Sequence, residues 1–238
     1  MEHWLSRTEL LIGKEKLDKL SRSHILVAGL GGVGGYAVEQ LCRAGIGELT
    51  LIEGDVVTLT NRNRQLIALS SNEGEKKISL FAKRLYDINP GLRLHLISEY
   101  VKEEGFDTIL SSHYDYVLDA IDTLSPKVAL LAASVKNGHR VVSSMGSGGR
   151  LDPEKIEIAD ISESHHCRFA YIVRKYLHRL DVRSGIKVVF SPEGVNKNSI
   201  IETPGVENKR SAVGTISYMP AMFGCFCAAV VVRDLIGE

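Results

Sequence analysis

Short apolar runs alternate with longer amphipathic stretches through the first 145 residues. His24-Ile-Leu-Val-Ala28 is an apolar run ended by glycines, the pattern of a strand buried on both faces. Residues 48–52, 92–97, 116–119 and 140–144 read the same way. Between them, residues 5–20, 33–44, about 75–88 and 125–136 place apolar side chains at helical spacing. Asn89-Pro90-Gly91 stops the third of these helices. Strands alternating with helices predict an α/β fold, a Rossmann-like doubly wound and mostly parallel sheet. Ligands of such sheets bind outside the carboxyl ends of the strands.

The texture changes at Gly146-Ser-Gly-Gly149. An acid-rich piece (152–163) precedes a basic stretch read as helix (168–183). Residues 191–214, rich in Gly, Pro, Asn and Ser, read as one long loop of the kind that is usually functional or mobile. Residues 211–232 carry no charge and are long enough to span a bilayer. Thr215, Ser217, Tyr218, Pro220 and glycines 214 and 224 interrupt that run. The expectation is therefore a break at Pro220, a buried helix beyond it and no stable membrane insertion, with peripheral contact of the tail as the alternative.

Composition then narrows the class. The 238 residues carry 29 Lys+Arg and 29 Asp+Glu, with 44% hydrophobic and 24% charged positions. That is an ordinary globular balance, and zero net charge excludes a binder that grips nucleic acid with its whole surface. The neutral sum hides sorting. After the acidic piece come Arg168, Arg174, Lys175, Arg179, Arg183 and Lys187, opposed within that stretch by Asp181 alone. Such a run is either a solvated face or a set of phosphate contacts.

Four scattered cysteines, with no Cys-x-x-Cys pair, exclude a disulfide scaffold and a zinc ribbon and point to a reducing, cytoplasmic setting. The N-terminus lacks the apolar run of a signal peptide. His165-His166-Cys167 invites a nucleophile or metal reading beside a structural one. Cys225 and Cys227, two apart on a predicted helix, point to different sides and read as core.

The candidate chemistry begins at Gly29-Leu-Gly31-Gly32-Val-Gly34, a glycine turn between a predicted strand and helix. Glycines there permit a tight turn and close approach of a phosphate, and the helix N-terminus favours negative charge. Glu53 ends the next strand, where a carboxylate suits ribose hydroxyls. A nicotinamide dehydrogenase shows the same pair. Beyond Glu53 the patterns part: Asn61-Arg62-Asn63-Arg64-Gln65, Lys77, and the acids Asp119 and Asp122 at the fourth strand's end suit a triphosphate with its magnesium. Arg62 reads equally well as a surface charge. Asp119 reads also as a helix cap, which favours Asp122 for the metal.

As a spaced set, Gly29-x-Gly31-Gly32-x-Gly34, Leu-Ile-Glu53-Gly-Asp55, Asn61-x-Asn63-Arg64-Gln65, Lys77 and Asp119-Ala-Ile-Asp122 resemble the adenylating domain of ubiquitin-activating-type enzymes. The resemblance covers most of residues 7–145. It implies that Glu53 holds ribose, Arg64 and Lys77 contact phosphates, and Asp122 works through Mg²⁺, with Asp55, Asn61, Asn63, Gln65 and Asp119 also at the ATP site. Family spacing selects Lys77 over Lys76. Arg7, in Ser6-Arg7-Thr8, matches an arginine that the family reaches across a homodimer to the partner's ATP. The whole chain, 1–238, is then one adenylating domain: an ATP-binding half (1–145) and a C-terminal substrate and dimer half (146–238).

Within that family, Val117-Leu-Asp119-Ala-Ile-Asp122, Gly146-Ser-Gly-Gly-Arg150-Leu-Asp-Pro153 and the tail around Pro220 resemble the tRNA threonylcarbamoyladenosine dehydratases. Those enzymes use ATP to cyclise the threonylcarbamoyl group on the adenosine beside the anticodon. The resemblance implies tRNA as substrate, with Arg168, Arg174, Lys175, Arg179 and Arg183 as contact candidates. Arg62 and the short C-terminus depart from that pattern. The alternatives are activation of a ubiquitin-like sulfur carrier, with a sulfur-transfer protein as partner, a nicotinamide oxidoreductase, and a nucleotide-binding module without chemistry. Sulfur-carrier activators usually hold zinc through two Cys-x-x-Cys pairs, which this chain lacks.

Overall fold

In the computed structural model, which describes residues 3–195, 197–202 and 211–238, the chain opens with two short helices, α1 (Ser6–Ile12) and α2 (Lys14–Arg22). The single helix expected over 5–20 is broken at Gly13, whose φ of +83° no helix accommodates. Then follow β1 (His24–Ala28), α3 (Gly34–Arg43), β2 (Glu48–Ile52), α4 (Lys77–Ile88), β3 (Arg93–Ile97), α5 (Gly105–Ile109), β4 (Tyr116–Asp119), α6 (Leu124–Lys136) and β5 (Val141–Ser144). The second half adds β6 (Glu157–Asp160), α7 (Arg168–His178), β7 (Lys187–Phe190), β8 (Ile200–Glu202), β9 (Ser211–Val213) and α8 (Tyr218–Ile236).

Seven strands form one sheet in the order β3-β2-β1-β4-β5-β7-β6, parallel throughout except for β6, which runs antiparallel to β7. From β1 the chain winds outward to β3, then returns to β4 on the other side of β1. That reversal opens a crevice at the carboxyl ends of β1 and β4, the place where doubly wound sheets bind ligands. Alternate side chains of each strand enter two cores. Ile25 and Val27 join a cluster with α3, α4 and α8, and Leu26 and Ala28 join one with α6 and α7. Burial on both faces is why these strands read as continuous apolar runs.

Several boundaries differ from expectation. α4 starts at Lys77 because Lys76 is drawn into an antiparallel bridge with Val56, and the Val57 N–H donates to the Glu75 carbonyl. α7 stops at His178 rather than 183. Asp181 takes φ +58° and the Val182 N–H returns to the Leu177 carbonyl, a closing hydrogen bond of the Schellman type. The long loop over 191–214 contains the β8–β9 hairpin, Ile200 facing Val213 in antiparallel register. Part of that stretch lies outside the described residues.

The apolar tail is not broken before its helix. α8 begins at Tyr218, and Pro220 sits in the first turn, where a missing N–H costs nothing. Met219, Phe223, Cys227, Val231 and Leu235, spaced by four, form a buried stripe against α3 and the sheet. α8 is long and apolar enough to cross a membrane, yet half of its most apolar window is buried inside the fold. Its hydrophobicity is largely that of a core helix.

Candidate functional site

The glycine turn lies at the switch point. The Gly29 N–H donates to the Ile52 carbonyl (2.9 Å) and the Ala120 N–H to the Ala28 carbonyl (2.8 Å), tying together the ends of β1, β2 and β4. Gly29 takes φ +87°, and a Cβ on Gly34 would lie 1.8 Å from the Gly29 carbonyl oxygen. These two positions therefore require glycine for the turn itself. Gly31 differs: a Cβ there would meet only the Gln65 Nε2, at 3.7 Å. Gly32 faces Pro220 of α8 and the stem of Arg64. The N-cap residue of α3, Val33, makes no side-chain capping bond, and the helix begins directly after the glycine turn, with the Gly35 N–H taken by the Gly31 carbonyl (3.1 Å).

Glu53 is buried at the end of β2, where its carboxylate accepts from the Leu30 and Asp55 N–H groups, both at 2.8 Å. Two further lone-pair sites on a carboxylate suit vicinal hydroxyls. Lys77, only 3% exposed, reaches Asp55 at 2.8 Å, whereas Lys76 points outward toward Ser98. The sequence offered two neighbouring lysines, and the start of α4 turns only the second inward. Tyr100, which sequence reasoning missed, donates to Asp55. That bond, with Asp55, Glu53 and Asp122 nearby, pushes its phenol up to about 12. Three acids from the ends of β2 and β4 thus share one neighbourhood.

Opposite them lies the 61–65 turn. Asn61 is buried, accepts from the Thr58 N–H (3.2 Å), and offers its carbonyl to the N–H groups of Arg64 and Gln65. Asn63 bridges outward: its amide donates to the Thr215 carbonyl (2.9 Å), while its oxygen accepts from Arg64 (2.9 Å). Burial pulls the Arg64 guanidinium below its ordinary value, with Asp122 opposing. This cation is therefore partly stripped of water and lies near an acid at the crevice. Gln65 is buried beside Gly31, and its Oε1 has no hydrogen-bond partner among the described residues. Arg62 points to solvent.

Asp119 is a correction. It is fully buried beneath the site, where its carboxylate is occupied by the ammonium of Lys127, the Ser143 hydroxyl and the Ile121 N–H. It positions the loop that carries Asp122 and does not line the crevice. Lys127, fully buried, also donates to the Ser144 carbonyl (3.0 Å). A lysine on an apolar helix carried no signal that it would meet the strand-end aspartate.

The basic stretch divides on α7. Arg174 is spent on the carbonyls of Ile161 and Ser164 and the Ser164 hydroxyl, closing a turn, and so is removed from the contact candidates. Lys187 lies on β7 and pairs with Asp234 (2.6 Å). Arg168, Lys175, Arg179 and Arg183 remain exposed. Tyr171 and Tyr176 lie among them, the latter with the Arg179 guanidinium 4.9 Å from its ring. The exposed side of α7 and the loop after it thus offer cations interleaved with aromatic faces. Cys167 is buried, with Arg150 donating to its sulfur (3.2 Å), and burial pushes the Cys227 thiol up. Neither thiol is presented as a nucleophile at the surface. Cys225 is half-buried on the other side of α8.

Three features of this crevice fit a nucleoside triphosphate: a Gly31 whose Cβ position meets only the Gln65 Nε2, a buried Gln65 oxygen that could accept from a nucleoside N–H or O–H, and two poorly solvated cations, Arg64 and Lys77. One substitution separates the cradle from the turn. Gly31→Ala is expected to melt as the parent does, because its Cβ meets nothing closer than 3.7 Å, yet to weaken ATP by at least about tenfold on calorimetric titration. Gly34→Ala, whose Cβ collides with backbone, is expected to lower the melting temperature.

A model of the ThiF family matches residues 5–238. The chain is 35% identical over 245 aligned positions to the tRNA threonylcarbamoyladenosine dehydratase of Bacillus subtilis, covering all of this chain and 96% of the relative. It is 36% identical to the Escherichia coli enzyme of the same name over 79% of this chain and 73% of the relative. The crystal structure of the E. coli tRNA N6-threonylcarbamoyladenosine dehydratase in complex with ATP superimposes with a TM-score of 0.88 and 32% identity, covering 98% of this chain and 93% of that one.

Proposed function

Because the chain belongs to the ThiF family, we propose that it is an ATP-dependent tRNA threonylcarbamoyladenosine dehydratase. The observation that carries this reading is the full-length likeness to a dehydratase solved with ATP, in a chain whose own crevice meets the demands of a triphosphate. ATP would supply an adenylyl group to the threonylcarbamoyl carboxylate with departure of pyrophosphate, and the activated carbonyl would then be attacked from within the same modification with departure of AMP, closing a ring with net loss of water from the nucleoside. Intramolecular closure asks for positioning rather than a protein nucleophile, so the buried thiols are no obstacle.

The residues divide that task. Glu53 takes the ribose hydroxyls. The Gly31 backbone and the N-terminus of α3 receive phosphate oxygens. Arg64 and Lys77 hold negative charge as it shifts onto the leaving pyrophosphate, and because burial has already removed much of their water, little solvent must reorganise when charge moves. Asp122 is the residue that would hold Mg²⁺, and Asn63 ties this turn to the segment ahead of α8. The residues on α7 and just beyond it, Arg168, Lys175, Arg179 and Arg183, with Tyr171 and Tyr176, form the tRNA-facing flank. The two halves of the chain act as one cytoplasmic unit.

The active form is a homodimer. α1 buries none of its own residues, and Leu10 and Leu11 are 89% and 84% exposed beside Trp4. That apolar helix and Arg7 upon it suit a twofold interface that lends Arg7 to the partner's ATP. Leu10→Glu with Leu11→Glu is expected to convert a dimer to a monomer by sedimentation, and Arg7→Ala to cut turnover while leaving the dimer intact. A monomeric parent protein would refute the interface.

The reading is tested by incubating the protein with ATP, Mg²⁺ and threonylcarbamoyl-modified tRNA and analysing nucleosides by mass spectrometry. Loss of one water from the modified adenosine is expected. AMP formation on a carrier protein without that product would overturn the substrate assignment.

A further inference from the structure

At the opposite end of the sheet from the crevice, three strands bring two imidazoles and a carboxylate together. The parallel register pairs His24 of β1 with Glu48 of β2, and Thr50 of β2 with His95 of β3. Paired residues, and residues two apart on one strand, share a face, so His24, Glu48, Thr50 and His95 all project to the same side. Their ligating atoms lie within 4.8 Å of one another. From this geometry we propose that His24, Glu48 and His95 form a binding site for a divalent transition-metal ion of the zinc class, separate from the nucleotide site.

The surrounding groups orient each ligand. His24 Nε2 lies 2.8 Å from the hydroxyl of buried Thr50. When that nitrogen carries the proton, the Nδ1 lone pair is turned toward Glu48 Oε1, 3.7 Å away and outside hydrogen-bond range. The His24 ring is further packed against Tyr114, 4.7 Å between centroids. Arg93 holds the other oxygen, Oε2, at 2.6 and 3.0 Å, leaving Oε1 for the ion. His95 Nε2 sits 2.8 Å from that same Oε1. The ion takes the place of the proton shared there, and water completes the coordination, since two histidines and one carboxylate leave a tetrahedral position open. Such outer partners are what distinguish a built site from adjacent surface histidines. Bridging β1, β2 and the edge strand β3, the ion would staple the sheet's exposed margin.

The test is calorimetric titration of the chelator-stripped full chain with zinc chloride, repeated in buffers of different ionisation enthalpy. One ion per chain is expected, with proton release and a raised melting temperature. His95 is 55% exposed, so His95→Ala should fold normally while its zinc affinity falls by at least about tenfold and the melting shift disappears. Glu48→Gln should behave alike. A His165→Ala, His166→Ala control should retain full affinity, and ATP binding should be unchanged in His95→Ala. Zinc binding that is unsaturable, or equal in parent and His95→Ala, overturns the proposal.

Discussion

Lys77→Ala is expected to lower turnover of threonylcarbamoyl-tRNA by about 10²–10³-fold, the range seen when one preorganised donor to developing charge is removed. Two effects act together. The ammonium assigned to the phosphates is lost, and Asp55, its partner at 2.8 Å, remains as an anion beside the place assigned to the pyrophosphate. Fold stability should change far less, because Asp55 is 44% exposed and keeps its bond from Tyr100. Nucleoside mass spectrometry of the product, run beside a thermal melt, separates the two. Asp122→Asn is expected to be similarly inactive with an unchanged melt. Full activity in either variant would refute the role given to that residue.

Lys127→Met should instead strike stability, by about 3–5 kcal/mol, the cost of leaving a buried charge without its partner. Lys127 and Asp119 are both fully buried, and removing the ammonium leaves the carboxylate with only the Ser143 hydroxyl and the Ile121 N–H. Replacing both, as Asp119→Leu with Lys127→Met, should recover part of that loss, since a buried pair often contributes little beyond an apolar substitute. Activity should not return with it. Asp119 holds the Ile121 N–H one residue before Asp122, so the double variant should fold while its KM for ATP rises. Urea unfolding and ATP kinetics on the two variants and the parent decide the matter. Equal stability of Lys127→Met and the parent would show that the pair is not the keystone proposed.

The parallel sheet and the glycine turn were legible because each has a local signature. Strands buried on both faces must be apolar throughout, and a turn in which one Cβ would lie 1.8 Å from a carbonyl must be glycine. β6 and β7 escaped notice. Each has four residues, and Glu157–Asp160 is half polar because it closes the sheet's edge. Pro220 misled for a related reason. A proline signals a helix boundary, and the boundary here lies two residues before it.

Charge was the least legible property. Arg174, Lys187 and Asp119 looked like ligand contacts in the sequence, yet each is occupied by neighbours that arrive from distant elements: a turn at 161–164, Asp234 of α8 and Lys127 of α6. Conversely, nothing in the sequence marked His24, Glu48 and His95 as neighbours, because only the register of three parallel strands aligns them.

By itself the sequence determined most of the strands and helices of the first 145 residues and where the chain must turn tightly. Those follow from local sterics and from the period of apolar burial, whereas the spaced set of polar residues was read from its resemblance to adenylating enzymes. The tertiary structure decided which charged groups are spent on the fold and which are left at the crevice. It turned Lys77 inward and Lys76 out, sank Asp119 onto Lys127, and left Arg64 partly desolvated at the crevice. The worth of a charge depends on its distance to partners and on the water left around it, and neither quantity exists until the chain has folded.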